Sequence, residues 1–302
     1  MRVTQSMLSN NMLRNLSNSY ERLGKYQEQM NTQKKITRPS DDPVIAMKGI
    51  TYRRNLMEVE QYKRNFGEAH NWIENSDAAL DKATKALHRI RELTVQASND
   101  TYEESQRKSI SAEVKQLRDH LVEIANTKFG DKYLFNGSNT LNKPVDLDAK
   151  PVVVPKDSNP VNLELSKGIY MQVNVDPSSI FTYKNDNGIE SGLFGDINEL
   201  IKKLEDPNAS GEEINGFLEK IDNHLDNVTN ARADLGARSN RIDLMEERVE
   251  QLEVISKQVM SENEDIEFEK VATELITQES VHRAALSVGA RIIQPTLMDF
   301  LR

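Results

Sequence analysis

The chain has 302 residues, 37% hydrophobic and 29% charged, with a formal net charge of -9 and no cysteine. These values exclude disulfides, thiolate catalysis and cysteine-ligated zinc, and they leave no basic footprint for nucleic acid. A mean hydropathy of -0.65 is lean for an enzyme core and suits long helices wetted on one side.

Charge is unevenly placed. Residues 1–60 carry ten bases against six acids, a balance of +4, whereas 261–302 carry four bases against eight acids, a balance of -4. Two ends of opposite sign can attract each other, within one chain or between neighbours. The 13 glycines and nine prolines cluster between residues 130 and 216, so the outer segments are nearly free of helix breakers. Met-Arg-Val-Thr-Gln-Ser-Met7 lacks the basic start and apolar core of a secretory signal. No run approaches the ~18 consecutive apolar residues of a membrane span, so no membrane insertion is expected.

In chain order, a first helix is expected over 7–34, with Leu13, Leu16, Tyr20, Leu23 and Met30 at helical steps along one face. The break Thr37-Arg38-Pro39-Ser40-Asp41-Asp42-Pro43 follows: Pro39 closes one helix, and Asp42-Pro43 opens the next as cap and first residue. A very long helix over 43–98 carries a ladder of alternating four- and three-residue steps from Ile45 and Gly49 to Leu87, the mark of a coiled coil or long bundle helix. Lys63, His70, Asp77 and Thr84 are polar rungs of that ladder and candidates for setting register.

A third helix carries Ile110, Val114, Leu117, Leu121 and Ile124 and is expected to end near Phe129-Gly130. Residues 131–187 differ in kind. Val152-Val153-Val154 is a β-branched run, Ile169, Met171, Val173 and Val175 alternate with polar partners, and Asn136-Gly137 and Asn187-Gly188 are turn dipeptides. Helices resume near Ile197. A last long helix starts near Gly211, with rungs Ile221, Leu225, Val228, Leu235, Ile242, Val249 and Leu252, and breaks at Glu262-Asn-Glu-Asp265. The C-terminal segment carries Leu275, Leu286, Ile292 and Ile293 and closes on Pro295-Thr-Leu297-Met298-Asp-Phe300-Leu301.

The fold expected is mainly α: a long antiparallel helical bundle or coiled coil formed by both halves of the chain, with a small β-rich inserted domain. Residues 1–42 and 262–302 form terminal coiled-coil helices, 43–140 and 190–261 the long bundle, and 141–189 the insert.

The residues carry little chemistry. The five histidines (His70, His88, His120, His224, His282) lie on helical segments with no metal-ligand spacing and are read as solvated helix-face side chains. There is no phosphate loop and no nucleophile elbow. Asp41-Asp42 and Glu262-Asn-Glu-Asp265 read as helix caps, because they lack the spaced ligands of a calcium loop. Trp72 reads as a core or interface residue. No catalytic, cofactor or metal residue is assigned, and no enzyme is expected.

Several blocks resemble one family. Arg2-Val-Thr-Gln-Ser-Met7-Leu8, Lys35-Ile-Thr-Arg-Pro-Ser-Asp-Asp-Pro43, Arg91-Glu-Leu-Thr-Val-Gln-Ala-Ser-Asn99, Lys132-Tyr-Leu-Phe-Asn-Gly137, Leu235-Gly-Ala-Arg-Ser-Asn-Arg-Ile242 and Leu297-Met-Asp-Phe-Leu301 are similar to the flagellin family of axial proteins of the bacterial flagellum. The resemblance covers about 1–140 and 190–302, and Arg38, Pro39, Ser40, Asp41, Asp42 and Pro43 form its most compact signature. It implies export through the flagellar type III apparatus without a cleaved signal, an extracellular flagellar location, and terminal helices that order on assembly.

On that implication, Leu13, Leu16, Tyr20, Leu23 and Met30 meet Leu275, Leu286, Ile293, Leu297, Phe300 and Leu301 only in the assembled structure. The prolines of Arg38-Pro-Ser-Asp-Asp-Pro43, the Tyr133-Leu-Phe-Asn-Gly137 block and the Met298-Asp-Phe-Leu301 ending resemble the branch that joins hook to filament. The partners implied are hook-associated protein 1, flagellin, further copies of the chain in a ring-like layer, and a flagellar export chaperone. The competing expectations are a minor flagellin of the filament and a cytoplasmic coiled-coil scaffold.

Overall fold

A computed structural model describes residues 5–99, 103–146, 159–184 and 190–293. Its helices are α1 (Gln5–Thr32), α2 (Pro43–Ala97), α3 (Glu104–Ala125), α4 (Pro177–Phe181), α5 (Leu193–Glu205), α6 (Gly211–Glu264) and α7 (Phe268–Ile293). Its strands form three two-stranded antiparallel pairs: β1 (Lys128–Phe129) with β2 (Lys132–Tyr133), β3 (Asn162–Ser166) with β4 (Ile169–Gln172), and β5 (Thr182–Lys184) with β6 (Glu190–Gly192). The architecture is the mainly helical one expected, with long helices and a small strand-bearing insert. Val152-Val153-Val154 and Asn187-Gly188 lie outside the described residues.

Two compact units emerge, residues 1–59 with 251–302 and residues 60–250, and α2 and α6 each contribute to both. The helix starts follow local chemistry. The Asp42 Oδ1 accepts from the backbone N–H groups of Val44 and Ile45 at 2.9 and 3.1 Å, with Pro43 as first helical residue. At α3 the Gln106 side chain reaches back to the Glu103 N–H at 3.2 Å. The end of α3 differs from the sequence expectation: the helix stops at Ala125, and Phe129 belongs to a short hairpin. Asn126 is the cause, because its amide pairs in both directions with Val145, donating to its carbonyl at 2.9 Å and accepting from its N–H at 3.0 Å.

In the 60–250 unit the apolar rungs of the α2 ladder, Phe66, Ile73, Leu80 and Leu87, are buried. Residues between the rungs, including Ala69, Trp72, Ala83 and Ala86, are buried too. Side chains of this part of α2 reach both neighbours, Asp77 pairing with Arg232 of α6 at 2.9 Å and Arg89 with Glu113 of α3 at 2.8 Å. On α6 the residues Ile214, Ile221, Val228, Leu235, Ile242 and Val249 recur every seven positions, and none exceeds 2% exposure. Such a repeat can slip by one heptad with little apolar cost, so polar pairs must fix the register. His70 meets Glu246 at 2.9 Å, Asp77 meets Arg232 at 2.9 Å and Arg91 meets Asp222 at 2.6 Å, which sets α2 and α6 antiparallel. Thr84, the fourth expected seam residue, instead donates to its own helix at the Leu80 carbonyl.

The insert is anchored on this unit rather than hung from it. The Asn65 amide donates to the Glu164 carbonyl at 2.7 Å, and Arg238 donates to the carbonyls of Gln172 and Asn174 at 3.2 and 3.0 Å. Strand β4 ends at Gln172, although Val173 and Val175 continue the inward pattern and are buried; the Asn174 side chain takes over by accepting from the Val161 N–H at 2.7 Å. The Phe135 and Phe181 rings meet edge-to-face at 6.1 Å between centres, Phe181 and Phe194 meet tilted at 5.6 Å, and all three are buried.

One histidine departs from the solvated reading. His224 is fully buried, 2.9 Å from Asp196, with the Tyr183 ring edge-on at 4.7 Å. Asp196 in the first turn of α5 also receives the Lys220 ammonium at 2.9 Å. Sequence spacing gave no signal for this, since the partners lie 28 residues apart on different helices.

Candidate functional site

The candidate site lies in the 1–59/251–302 unit, where both halves of the chain break their helices. α1 and α7 run antiparallel. Met12 and Leu16 meet Gly289, Ser19 meets Gln278 and His282, and the Tyr20 ring lies tilted beside His282 at 6.0 Å between centres. A Cβ placed on Gly289 would lie 3.0 Å from the Met12 methyl, so the glycine lets α1 approach the α7 backbone. Ser19 is the buried polar group of this seam, and the Gln278 amide satisfies it at 3.0 Å. Nearer the break, burial raises the Tyr26 phenol pKa, and the adjacent Glu274 carboxylate adds to the shift.

At the elbow itself the chain turns through Gln33, whose φ of +56° is the left-handed conformation that ends a helix, usually reserved for glycine or asparagine. The two breaks are then sewn together. Lys35 N–H donates to the Glu264 carbonyl at 2.7 Å, Ile266 N–H donates to the Gln33 carbonyl at 3.2 Å, and Lys34 and Asp265 form an isolated antiparallel bridge. Lys34 Nζ lies 2.6 Å from Asp265 and 3.6 Å from Glu264, while the Lys35 ammonium contacts the Glu262 carbonyl. The Lys34 hydrogen bond, followed by one from Ser261, holds the Asp265 carboxyl below its ordinary range, and Asp265 in turn raises the Lys34 ammonium.

Glu264 is the centre of the elbow. Its side chain is 6% exposed, Oε2 lies 2.8 Å from Arg53, and Oε1 accepts no hydrogen bond from the described residues. A Cβ on Gly49 would fall 2.6 Å from that Oε1, so any larger residue there obliges the Glu264 carboxylate to shift. The Asn263 amide donates to the Ile45 carbonyl at 3.1 Å and fastens α6 to the start of α2. Sequence reasoning placed Gly49 on the ladder and read Glu262-Asn-Glu-Asp265 as caps. Their role as receptors for Lys34 and Arg53 was foreshadowed only by the opposite charges of the two ends.

The signature residues build the turn that aims these groups. Asp41 Oδ2 accepts from the Arg38 and Thr37 N–H groups at 2.9 and 3.1 Å, which depresses its pKa, the Arg38 bond contributing most. Asp41 therefore caps the loop while Asp42 caps α2. Arg38 and Pro39, with Ile36, Ile45 and Ala46, line a cleft of about 150 Å³ above Gly49, and Ser40 is exposed.

Of the expected assembly residues, Leu16, Leu23, Met30 and Leu275 are half-buried, whereas Leu13, Tyr20 and Leu286 stay 54%, 68% and 49% exposed. Ile293 closes α7, and Leu297, Phe300 and Leu301 lie outside the described residues. Among the described residues no group of three or more His, Cys, Asp and Glu is placed to hold a metal ion.

The bacterial flagellin N-terminal helical region model matches residues 3–140, and the C-terminal helical region model matches residues 218–301. The chain is 27% identical to flagellar hook-associated protein 3 of Escherichia coli K12, over 93% of this chain and 93% of that one. It is 26% identical to Bacillus subtilis flagellin over 80% of each. A hook-associated protein structure from Vibrio parahaemolyticus superposes with a TM-score of 0.68 at 23% identity, covering 74% of this chain and 100% of that one. The flagellar junction protein of Legionella pneumophila superposes with a TM-score of 0.59 at 19% identity, covering 72% and 99%. The curated and solved relatives named here are structural proteins of the flagellum.

Proposed function

This chain belongs to the bacterial flagellin family, and we propose that within the flagellum it is the structural subunit joining hook to filament. The observation that carries this reading is the end-to-end alignment with hook-associated protein 3, wider than the alignment with Bacillus subtilis flagellin. The site is mechanical, not catalytic: a paired α1–α7 hairpin held to the long helices by the Glu264 elbow, with apolar side chains left on its outside.

In this reading the subunit leaves the cell through the flagellar export apparatus, escorted by a chaperone, and adds to further copies of itself in a thin layer. One face of the layer meets hook-associated protein 1 and the other meets flagellin. The exposed Leu13, Tyr20 and Leu286 are covered there, together with Leu16, Leu23, Met30, Leu275, Ile293, Leu297, Phe300 and Leu301. Ordering free helices costs about 1–2 kcal/mol per residue in backbone entropy, and burial returns about 1.5–3 kcal/mol per large apolar side chain. Neighbours that cover the outer apolar faces shift that balance towards order. The division into terminal helices (1–42, 262–302), bundle and insert belongs to the same proposal.

A second reading, a filament subunit, draws on the match to both flagellin family models. A deletion strain separates them. Under the junction reading, electron microscopy shows hooks without filaments, and immunoblotting finds flagellin as soluble monomer in the medium. Missing filaments with little flagellin anywhere refute it in favour of a filament subunit, and normal filaments refute both.

A further inference from the structure

The first part of α2 is apolar on two sides. Its inward seam is Ile45, Gly49, Tyr52, Leu56 and Val59, all half-buried or buried. A second seam, Met47, Ile50, Arg54 and Met57, repeats at intervals of three, four and three residues, and its apolar members are 72%, 66% and 63% exposed. A helix with apolar stripes on two faces is built to be covered on both. The same unit holds a matching seam on α6: Leu252, Ile255, Val259 and Glu262, with the same three-four-three spacing, of which Leu252 is 38% and Ile255 54% exposed.

The two seams differ in charge. Residues 43–59 carry Lys48, Arg53 and Arg54 against Glu58, while 251–264 carry Glu253, Glu262 and Glu264 against Lys257. An α2 seam set against its own copy would bring Lys48 and Arg54 towards like charges, whereas an α6 seam offers Glu262 at a seam position. Spacing and charge together favour a head-to-tail contact over a two-fold one, and head-to-tail contacts continue into rings or helical layers.

We propose that the Met47–Met57 seam of α2 in one copy docks on the Leu252–Glu262 seam of α6 in a second copy of this chain. This names the copy-to-copy contact of the layer and rests on the structural reading above only for where that layer stands. Such a contact covers Met47, Ile50 and Met57, which the free subunit leaves largely to water.

The chain has no cysteine, so introduced ones are unique probes. Ile50→Cys and a size-tagged Ile255→Cys, both central in their seams, come within a helical turn whichever way the helices run. Purified full-length variants are mixed at high concentration under mild oxidation, and the same pair is co-produced in the deletion strain. The expected product is a mixed disulfide between the thiols introduced at positions 50 and 255, in several-fold excess over either self-disulfide. Lys48→Glu together with Arg54→Glu in the first chain cuts the yield several-fold, and Glu262→Arg added to the second restores it, since one of the two positions lies within a turn of 262 in either direction. Self-disulfides alone, or no disulfide in either setting, overturn the proposal. Absence of the chain from isolated flagella refutes the junction reading, and the purified mixture still decides this contact.

Discussion

Replacing Gly49 by alanine tests the elbow, because two opposing effects of known size meet there. In an open helix interior the change stabilises by about 1 kcal/mol. At Gly49 the new Cβ would sit 2.6 Å from Glu264 Oε1, and the carboxylate must move out of a site where its side chain is 6% exposed. Displacing one partner of a buried pair costs about 3–5 kcal/mol. Arg53 and Lys34 are 58% and 41% exposed, so water takes over part of their solvation and the cost falls to about 2–3 kcal/mol. The net effect is a loss of about 1–2 kcal/mol, or roughly tenfold weaker protection. Hydrogen exchange of the α1 and α7 amides reads this local opening directly. Gly24→Ala in α1, where nothing lies within 4 Å of the new Cβ, is the control and gains protection. Glu264→Ala combined with Gly49→Ala recovers most of the loss of the second change, since the obstacle is gone. If Gly49→Ala gains protection as the control does, the reasoning about Glu264 fails.

At Gly289 the neighbour is the flexible end of Met12, so alanine is tolerated and near neutral in hairpin protection, whereas Gly289→Leu separates α1 from α7 and exposes both to exchange. His224→Ala removes one hydrogen-bond partner of the buried Asp196 and opens a void; urea unfolding followed by the fluorescence of buried Trp72 should show a loss of about 3 kcal/mol. The carboxyls of Asp41 and Asp265 are depressed in the folded chain, so their stabilisation is present above the unfolded value near 4 and lost as pH falls through the folded values. Lys34 is raised, so its share persists up to about pH 10.4 and fades above it. Proteolysis at 33–42 should accordingly stay flat between these limits and rise in acid. Removing residues 293–302 should leave helicity by circular dichroism nearly unchanged and abolish assembly; restored motility with that variant would refute the terminal-helix mechanism.

The long helices were legible because their signals are local and periodic. Asp42-Pro43 starts α2 as read, and the heptad rungs of α6 are buried every seventh residue. The end of α3 was misplaced because Asn126 is held by Val145, 19 residues on, which no helical period reports. His224 and Asp196 were missed for the same reason: a buried pair across two helices has no spacing signature. The elbow stood between these extremes. The charge asymmetry of the two ends and a glycine on an otherwise bulky ladder were visible, but the fit of Glu264 against Gly49 is a property of packing between residues far apart in the chain. The acidic break looked like a cap because capping is what such residues do when no distant cation is in view.

Immunogold labelling of isolated hook–filament preparations with an antibody to the insert tests the central claim most directly. A narrow band of label confined to the boundary between hook and filament is the result this account predicts. Label distributed along the filament would make the chain a filament subunit, and its absence from the preparation would contradict a flagellar role.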